Sequence, residues 1–250
     1  MNSSGFSDHF SSVSATYALH RPHYPRELFA YLAALAPART CAWDCGTGNG
    51  QAAIGLAEFF DVVTATDASA AQIESALAHA RVRYRVAPAE NPGLEHRSVD
   101  LISVAQALHW FDLPQFYSQT SYALTEGGVL AAWCYGRCRI SSRIDAVIDI
   151  LYRDILGPYW PVERNHIDDA YNSIDFPYDR ISVPPFEIRA HWRLDGIVGY
   201  LRTWSAAQRY ARETGRDPID AVRTALIAEW GDPDGLRAVV WPIHLLAGRA

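Results

Sequence analysis

Residues 42–51 read Ala-Trp-Asp-Cys-Gly-Thr-Gly-Asn-Gly-Gln, and this stretch decides the fold class. An apolar run ends in Asp44, then Gly46, Gly48 and Gly50 lead into a helix-like segment starting at Gln51. Glycines between a strand and a helix permit a tight turn and let a ligand approach the backbone at the open end of a sheet. Dinucleotide binders space theirs G-x-G-x-x-G, but the third position after Gly48 is Gln51, which disfavours a pyrophosphate ligand.

Outward from this loop, strand-like and helix-like runs alternate as far as residue 133. Strands are expected at Thr40–Asp44, Val62–Thr66, Tyr84–Ala87, Val99–Ala105 and Val129–Trp133. Helices are expected at Gln51–Phe59, Ala70–Arg81 and Leu113–Leu124, preceded by one over 26–36 from the spacing of Leu28, Phe29, Leu32 and Leu35. This order predicts a parallel sheet with helices on both faces. The pattern breaks over 138–185, where one helix (Ile144, Ile148, Leu151, Ile155) precedes an aromatic, Pro-rich stretch. Alternation at Glu187–Leu194 predicts a further strand, followed by two helices and a last strand near Ala238–Leu246. Pro242 has no ladder donor to offer, which predicts a strand end or bulge there.

Composition narrows the function. At 250 residues and 49% hydrophobic, the chain can bury a sizeable core. It has no apolar run of about 18 residues, and Met1–Gly5 lacks the basic and apolar regions of a signal peptide, so a cytoplasmic protein is expected. A net charge of −6 argues against broad nucleic-acid binding. All 22 basic residues are Arg, so no Lys can form a Schiff base. Cys41, Cys45, Cys134 and Cys138 repeat a C-x₃-C spacing, whereas structural zinc pairs are more often C-x₂-C. Free, mostly buried thiols and no metal are expected.

The second chemical signal is Val-Thr-Ala-Thr-Asp-Ala-Ser at 63–69. A strand ending in Asp67, about twenty residues past the glycine loop, places an acid where it can accept both hydroxyls of a ribose. Helix capping is the competing role, and Ser69 suits it better because a helix begins just after it.

D-x-G-x-G-x-G resembles the cofactor loop of class I S-adenosylmethionine-dependent methyltransferases. VAPAEN (86–91), RSVDLISVAQALHWF (97–111) and LTEGGVLAAW (124–133) look like that family's later motifs. YALHRPHYP (17–25) and GYLRTWSAAQRY (199–210) resemble segments of its type 11 small-molecule subgroup, with similarity to fungal trans-aconitate and cantharidin-type methyltransferases, which act on carboxylates. The resemblance implies one domain over 1–250, with a Rossmann-like, doubly wound, seven-stranded sheet of order 3-2-1-4-5-7-6. Within it, 1–36 would be a cap, 37–137 the cofactor core, 138–185 a lid and 186–250 the C-terminal strands and helices. In that order Cys41 and Cys134 lie about 10 Å apart, too far for a disulfide.

The resemblance also implies roles. Gly46, Thr47 and Gly48 would hold the methionyl part of S-adenosylmethionine, with Asp44 ordering the loop. Asp67 and Ala68 would take the ribose, Ile73 the adenine face, and Ala89 with Glu90 the adenine edge. Gln106 and Ala107 would lie under the sulfonium, while Tyr17 and Arg21 close over the methionyl end when the cofactor binds. Two departures matter. Pro88 stands where many relatives have an acid toward the adenine amino group. Gln106-Ala107-Leu108-His109-Trp110 replaces the Asn/Asp-Pro-Pro-Tyr/Phe run of enzymes that methylate nucleic acid or glutamine, which points away from those acceptors.

For the acceptor, Tyr24, Trp110, Tyr159, Trp160 and Trp204 are candidates, with Tyr171 and Phe176 in the same aromatic insert as lid or as core. His109 is either a structural histidine, a pocket wall, or the general base for a hydroxyl or phenol acceptor. Arg21, Arg137 and Arg164 are placed to steer an anion. The expected reaction is methyl transfer to oxygen, with a carboxylate favoured over a hydroxyl, in a monomer or homodimer. The rivals are a nicotinamide oxidoreductase and a non-catalytic S-adenosylmethionine-binding protein.

Overall fold

The computed structural model describes residues 22–250. Its strands are β1 (Cys41–Cys45), β2 (Val62–Asp67), β3 (Val82–Val86), β4 (Val99–Ala105), β5 (Leu124–Tyr135), β6 (Asp179–Arg180), β7 (Phe186–Trp192) and β8 (Arg237–Arg249). The helices are α1 (Arg26–Leu35), α2 (Gln51–Ala57), α3 (Ala70–Glu74), α4 (Leu113–Ala123), α5 (Ser142–Asp149), α6 (Arg164–Asp168), α7 (Leu194–Arg202), α8 (Ser205–Thr214) and α9 (Arg223–Trp230). β4 is buried on both faces, as a continuous apolar strand must be, and lies between β1 and β5. The sheet runs β3-β2-β1-β4-β5-β8, with β6 and β7 sharing the outer edge of β8. β1 to β5 are parallel and β8 is antiparallel to β5. This is the expected order, with the outermost position split into two segments.

Side chains alternate across the sheet, so consecutive strand residues feed two separate cores. On one face Val63, Leu101, Val129 and Trp133 pack with Leu28, Phe29 and Leu32 of α1, Leu56 of α2 and residues of α5, α7 and α9. On the other face Trp43, Ile102, Leu130 and Cys134 pack with Phe116 of α4 and with Ile167, Tyr171 and Phe176.

The helix expected over Ala70–Arg81 stops at Glu74. It buries no side chain, so packing does not extend it. Instead, the Leu77 N–H donates to Asn49 O at 3.1 Å, and its carbonyl accepts from the Tyr84 hydroxyl at 2.8 Å. β5 is longer than expected and begins at Leu124, through a shift in its pairing with β4 between Val99 and Leu101. Three α-helices rather than two separate β7 from β8. Pro242 lies inside β8 and breaks no ladder. Even-numbered residues of β8 turn their backbone groups toward β5, as the bonds of Val240 with Arg139 and of Ala250 with Gly128 establish. The β5 ladder ends at Tyr135↔Ile243, so Pro242 faces the gap before the Arg139 bridge.

Within 138–185 the expected helix is α5, continued by a π-helical turn over Ile150–Ile155. Tyr171 and Phe176 are buried in the second core rather than spread over a surface. All four cysteines are free; three are buried and Cys41 is partly exposed.

Candidate active site

The carboxyl ends of β1, β2 and β4 meet around the glycine loop. Gly46, Gly48 and Gly50 have φ of +67°, +56° and +92°, a region that costs an L-residue strain. A Cβ on Gly46 would stand 2.6 Å from the Ala107 Cβ, so the loop presses directly on the end of β4. A Cβ on Gly48 would meet only the Gln72 Oε1 at 3.8 Å, which leaves that stretch of backbone open to a ligand.

Two bonds stitch this loop to β2. Thr47 N–H donates to Thr66 O at 3.0 Å, and Gly48 N–H to Asp67 Oδ2 at 2.9 Å. The other Asp67 oxygen accepts from Ser69 N–H at 2.8 Å, while the Ser69 hydroxyl caps α3 through Gln72 N–H. Asp67 is therefore oriented by two backbone amides and is not the cap. Below the loop, the fully buried Asp44 accepts from Thr47 Oγ1 at 2.5 Å and from Ser103 Oγ at 2.6 Å. Burial pushes its pKa up to about 6, against the pull of those two hydroxyls. Ser103 was legible only as the lone hydroxyl in an apolar strand; the register Asp44↔Ser103 gives it its role.

Gln106, where β4 ends, has φ +57°, a cost paid only where surroundings hold it. Here its amide exchanges two bonds with the Tyr135 backbone, at 3.0 and 3.1 Å, and its own N–H reaches Trp133 O at 2.8 Å. Ala107 is buried against Gly46. Ala89 is buried, and Glu90 accepts from the N–H of Asp112, the residue that caps α4. Ala68 and Ile73 are half-buried just past β2. Tyr17 and Arg21, and with them most of the expected closing segment, lie outside the described residues.

The acceptor candidates fall into three groups. Trp110 (36% exposed), Tyr159 and Pro161 line a cleft of about 210 Å³ whose far wall is Ser205, Gln208, Arg209, Arg212 and Glu213 of α8. Trp160 is half-buried, with its ring 4.8 Å from Tyr152 and 5.7 Å from the buried Trp204. Tyr24 lies edge-on to Trp133 at 5.4 Å. His109 is buried rather than open at the mouth, and its Nδ1 is 3.0 Å from the Tyr171 hydroxyl. Burial, reinforced by the charges of Arg164 and His166, pushes its pKa down to about 3. Of the three roles open to His109, these contacts suit the structural one, because an imidazole so held is a weak proton acceptor at neutral pH.

A family model described as a methyltransferase domain (Methyltransf_11) matches residues 43–132, the segment from β1 through most of β5. A Dictyostelium discoideum protein named as a methyltransferase is 33% identical over 98% of this chain and 95% of its own length. The chain belongs to the class I S-adenosylmethionine-dependent methyltransferases. The enzyme is also 30% identical, over 82% of its chain and 83% of the other, to Saccharomyces cerevisiae CRG1, named as an S-adenosylmethionine-dependent methyltransferase. A solved structure of a type II methyltransferase from Anaeromyxobacter dehalogenans is 48% identical, with TM-score 0.87 over 92% of this chain and 97% of that one.

The cofactor of the methyltransferase is thus S-adenosylmethionine, and the residues present fit it. The loop has an open backbone face at Gly48, an acid fixed beside it at Asp67, and Gln106–Ala107 pinned against Gly46. Among the described residues, no three His, Cys, Asp or Glu side chains gather into a metal site. None of their helices is long and apolar enough to cross a membrane.

Proposed function

We propose that this methyltransferase forms the methyl ester of a small carboxylic acid. The observation that carries the reading is His109: buried, bonded to Tyr171 and held neutral, it is poorly suited to deprotonate a hydroxyl. A carboxylate is already ionised at pH 7 and asks only for alignment. When bound, S-adenosylmethionine supplies a methyl group activated by its sulfonium. Gly46, Thr47 and Gly48 hold its methionyl part, Asp67 and Ala68 the ribose, and Ile73, Ala89 and Glu90 the adenine. Gln106 and Ala107 form the floor between cofactor and acceptor. Trp110, Tyr159 and Trp160 wall the acceptor side and exclude water. Orientation of this kind is worth on the order of 7–11 kcal/mol, more than one proton transfer would add.

On this reading 1–250 is one domain, 138–185 serves acceptor binding, and the enzyme works in the cytoplasm as a monomer or homodimer without nucleic acid. The test is a panel of carboxylic acids, phenols and amines assayed with labelled cofactor. An acid is expected to be the best acceptor, with a rate flat between about pH 6 and 9 and only modestly altered in His109→Gln. A phenol or alcohol whose rate rises through a histidine-like pKa and collapses in that variant would overturn the proposal.

A further inference from the structure

Of the three arginines near the expected mouth, Arg21 lies outside the described residues and Arg137 is already bonded to Asp149. Arg164, on α6, is held differently. Its Nε donates to the Tyr152 hydroxyl at 2.9 Å, and that hydroxyl donates onward to Asp168 at 2.7–2.8 Å. Asp168 itself stands 3.7 Å from Nε. The guanidinium carbon lies 4.8 Å from the centre of the Trp160 ring and 5.5 Å from that of Tyr152. Nε and the two ring faces account for its contacts. The two terminal amino groups, with four N–H donors between them, have no acceptor among the described residues, although the side chain is only 16% exposed. Neither terminal nitrogen is sealed from solvent, so these donors stay open to an incoming ligand's oxygens.

Its position says what that something accompanies. α6 packs on the turn over Leu108–Trp110 that follows Gln106 and Ala107. The Arg164 charge is felt by His109 in that turn, by Cys134 near the end of β5, and by Tyr171. Trp160, which stacks on it, lies between Tyr159 and Pro161, two walls of the cleft beside Trp110. The clamp also sets the geometry. Nε is tied and both ring faces restrict rotation, so the terminal amino groups form a fixed fork that loses little entropy when it binds two oxygens.

We propose that Arg164 is a specificity residue that binds an anionic oxygen pair, carboxylate or phosphate, carried by the methyl acceptor. This rests on the reading of the site as a methyl-transfer centre with its acceptor beside Trp110. It adds which side chain recognises the acceptor, and it makes Tyr152 and Asp168 positioning residues that hold the fork.

The first test needs no turnover. Crystals of the full chain with S-adenosylhomocysteine are soaked separately in selenate, a phosphate-like oxyanion, and in 4-bromobenzoate, a carboxylate with an anomalous scatterer. Anomalous density is expected with oxygens within hydrogen-bonding distance of the Arg164 terminal nitrogens, and it should vanish in Arg164→Gln. Selenate alone would point to phosphate-bearing acceptors, 4-bromobenzoate alone to carboxylates, and both to the shared chemistry. Neither probe seated on Arg164 would overturn the proposal.

The second test is kinetic, with the best acceptor found in the panel. Arg164→Gln should raise KM for the acceptor about 30-fold with kcat nearly unchanged, and Arg164→Lys should recover part of it. Affinity for S-adenosylhomocysteine should stay within about twofold of the parent, which also confirms folding. A loss confined to kcat, or no change in either constant, would overturn the assignment. Failure of the wild type to bind S-adenosylhomocysteine would sink the methyl-transfer reading itself, and the anomalous density would still decide whether Arg164 is an anion site.

Discussion

The two halves of the proposed site are built from different material. The cofactor half is mostly backbone: glycines at positive φ, N–H groups of Gly48 and Ser69 on Asp67, and the Thr47 bond to β2. Its side chains come from short segments at strand ends. The proposed acceptor half is side chain throughout, with aromatic rings and arginines drawn from residues 109–110, from 152–171 and from α8. A backbone site tolerates little change, because its ligand contacts and the chain path are the same atoms. A side-chain site can be refitted residue by residue while the sheet stays as it is.

That contrast can be broken, and the largest expected effect is at Gly46. Gly46→Ala puts a methyl 2.6 Å from the Ala107 Cβ at φ +67°. The expected cost is about 3 kcal/mol or more of stability, with loss of cofactor binding, read by urea melts and calorimetry with S-adenosylhomocysteine. A variant as stable as the parent would show that the loop has room to move away from β4.

Next is Asp67→Ala, expected to weaken S-adenosylhomocysteine binding by roughly 1.5–3 kcal/mol, the usual range for a hydrogen bond to a charged group. Unchanged affinity in the titration would mean that Asp67 serves only the loop, through Gly48 and Ser69.

His109 tests the same contrast through pH. Its folded pKa, pushed down to about 3, lies below the ordinary 6.5. Between those values the unfolded chain binds a proton that the folded chain refuses, so stability is full above about pH 6.5 and falls as pH drops. The slope from this residue approaches about 1.4 kcal/mol per pH unit. Asp44, whose pKa is raised, slopes the other way, so the two proteins must be compared at each pH. Relative to His109→Gln, the wild type should lose stability between pH 7 and pH 4.5, and parallel curves would show that the imidazole is not held neutral.

The smallest effect is expected at the rim. Trp110→Ala should raise acceptor KM only severalfold, about 1 kcal/mol, and leave S-adenosylhomocysteine affinity alone. Loss of cofactor affinity in that variant would erase the boundary between the two halves.

How much was legible follows the same division. β4 falls at Val99–Ala105, as its unbroken apolar run requires; the alternation around it predicts a parallel sheet, and the strand order is what the family resemblance implies. Ser69 could be read as the cap because it stands just ahead of the helix it closes. The end of α3 could not be read, because it is set by Asn49 and Tyr84, one on the glycine loop and the other on β3. Nor could Ser103 be read as the partner of Asp44, since only the register of β1 against β4 joins them.

By itself, then, the sequence determined the parallel sheet, the glycine turn and the acid at Asp67, because these rest on spacing along a few residues and on conformations only glycine adopts freely, and its motifs carried the resemblance that implies the cofactor class. Tertiary structure alone decided that Tyr171 and Phe176 are core, that His109 is buried against Tyr171, and that Arg137 is spent on Asp149. It also decided that Arg164 is clamped with its amino groups open. The state of a charge or an imidazole depends on which distant side chains fold against it, and burial and partners are properties of the packed chain rather than of any stretch of it.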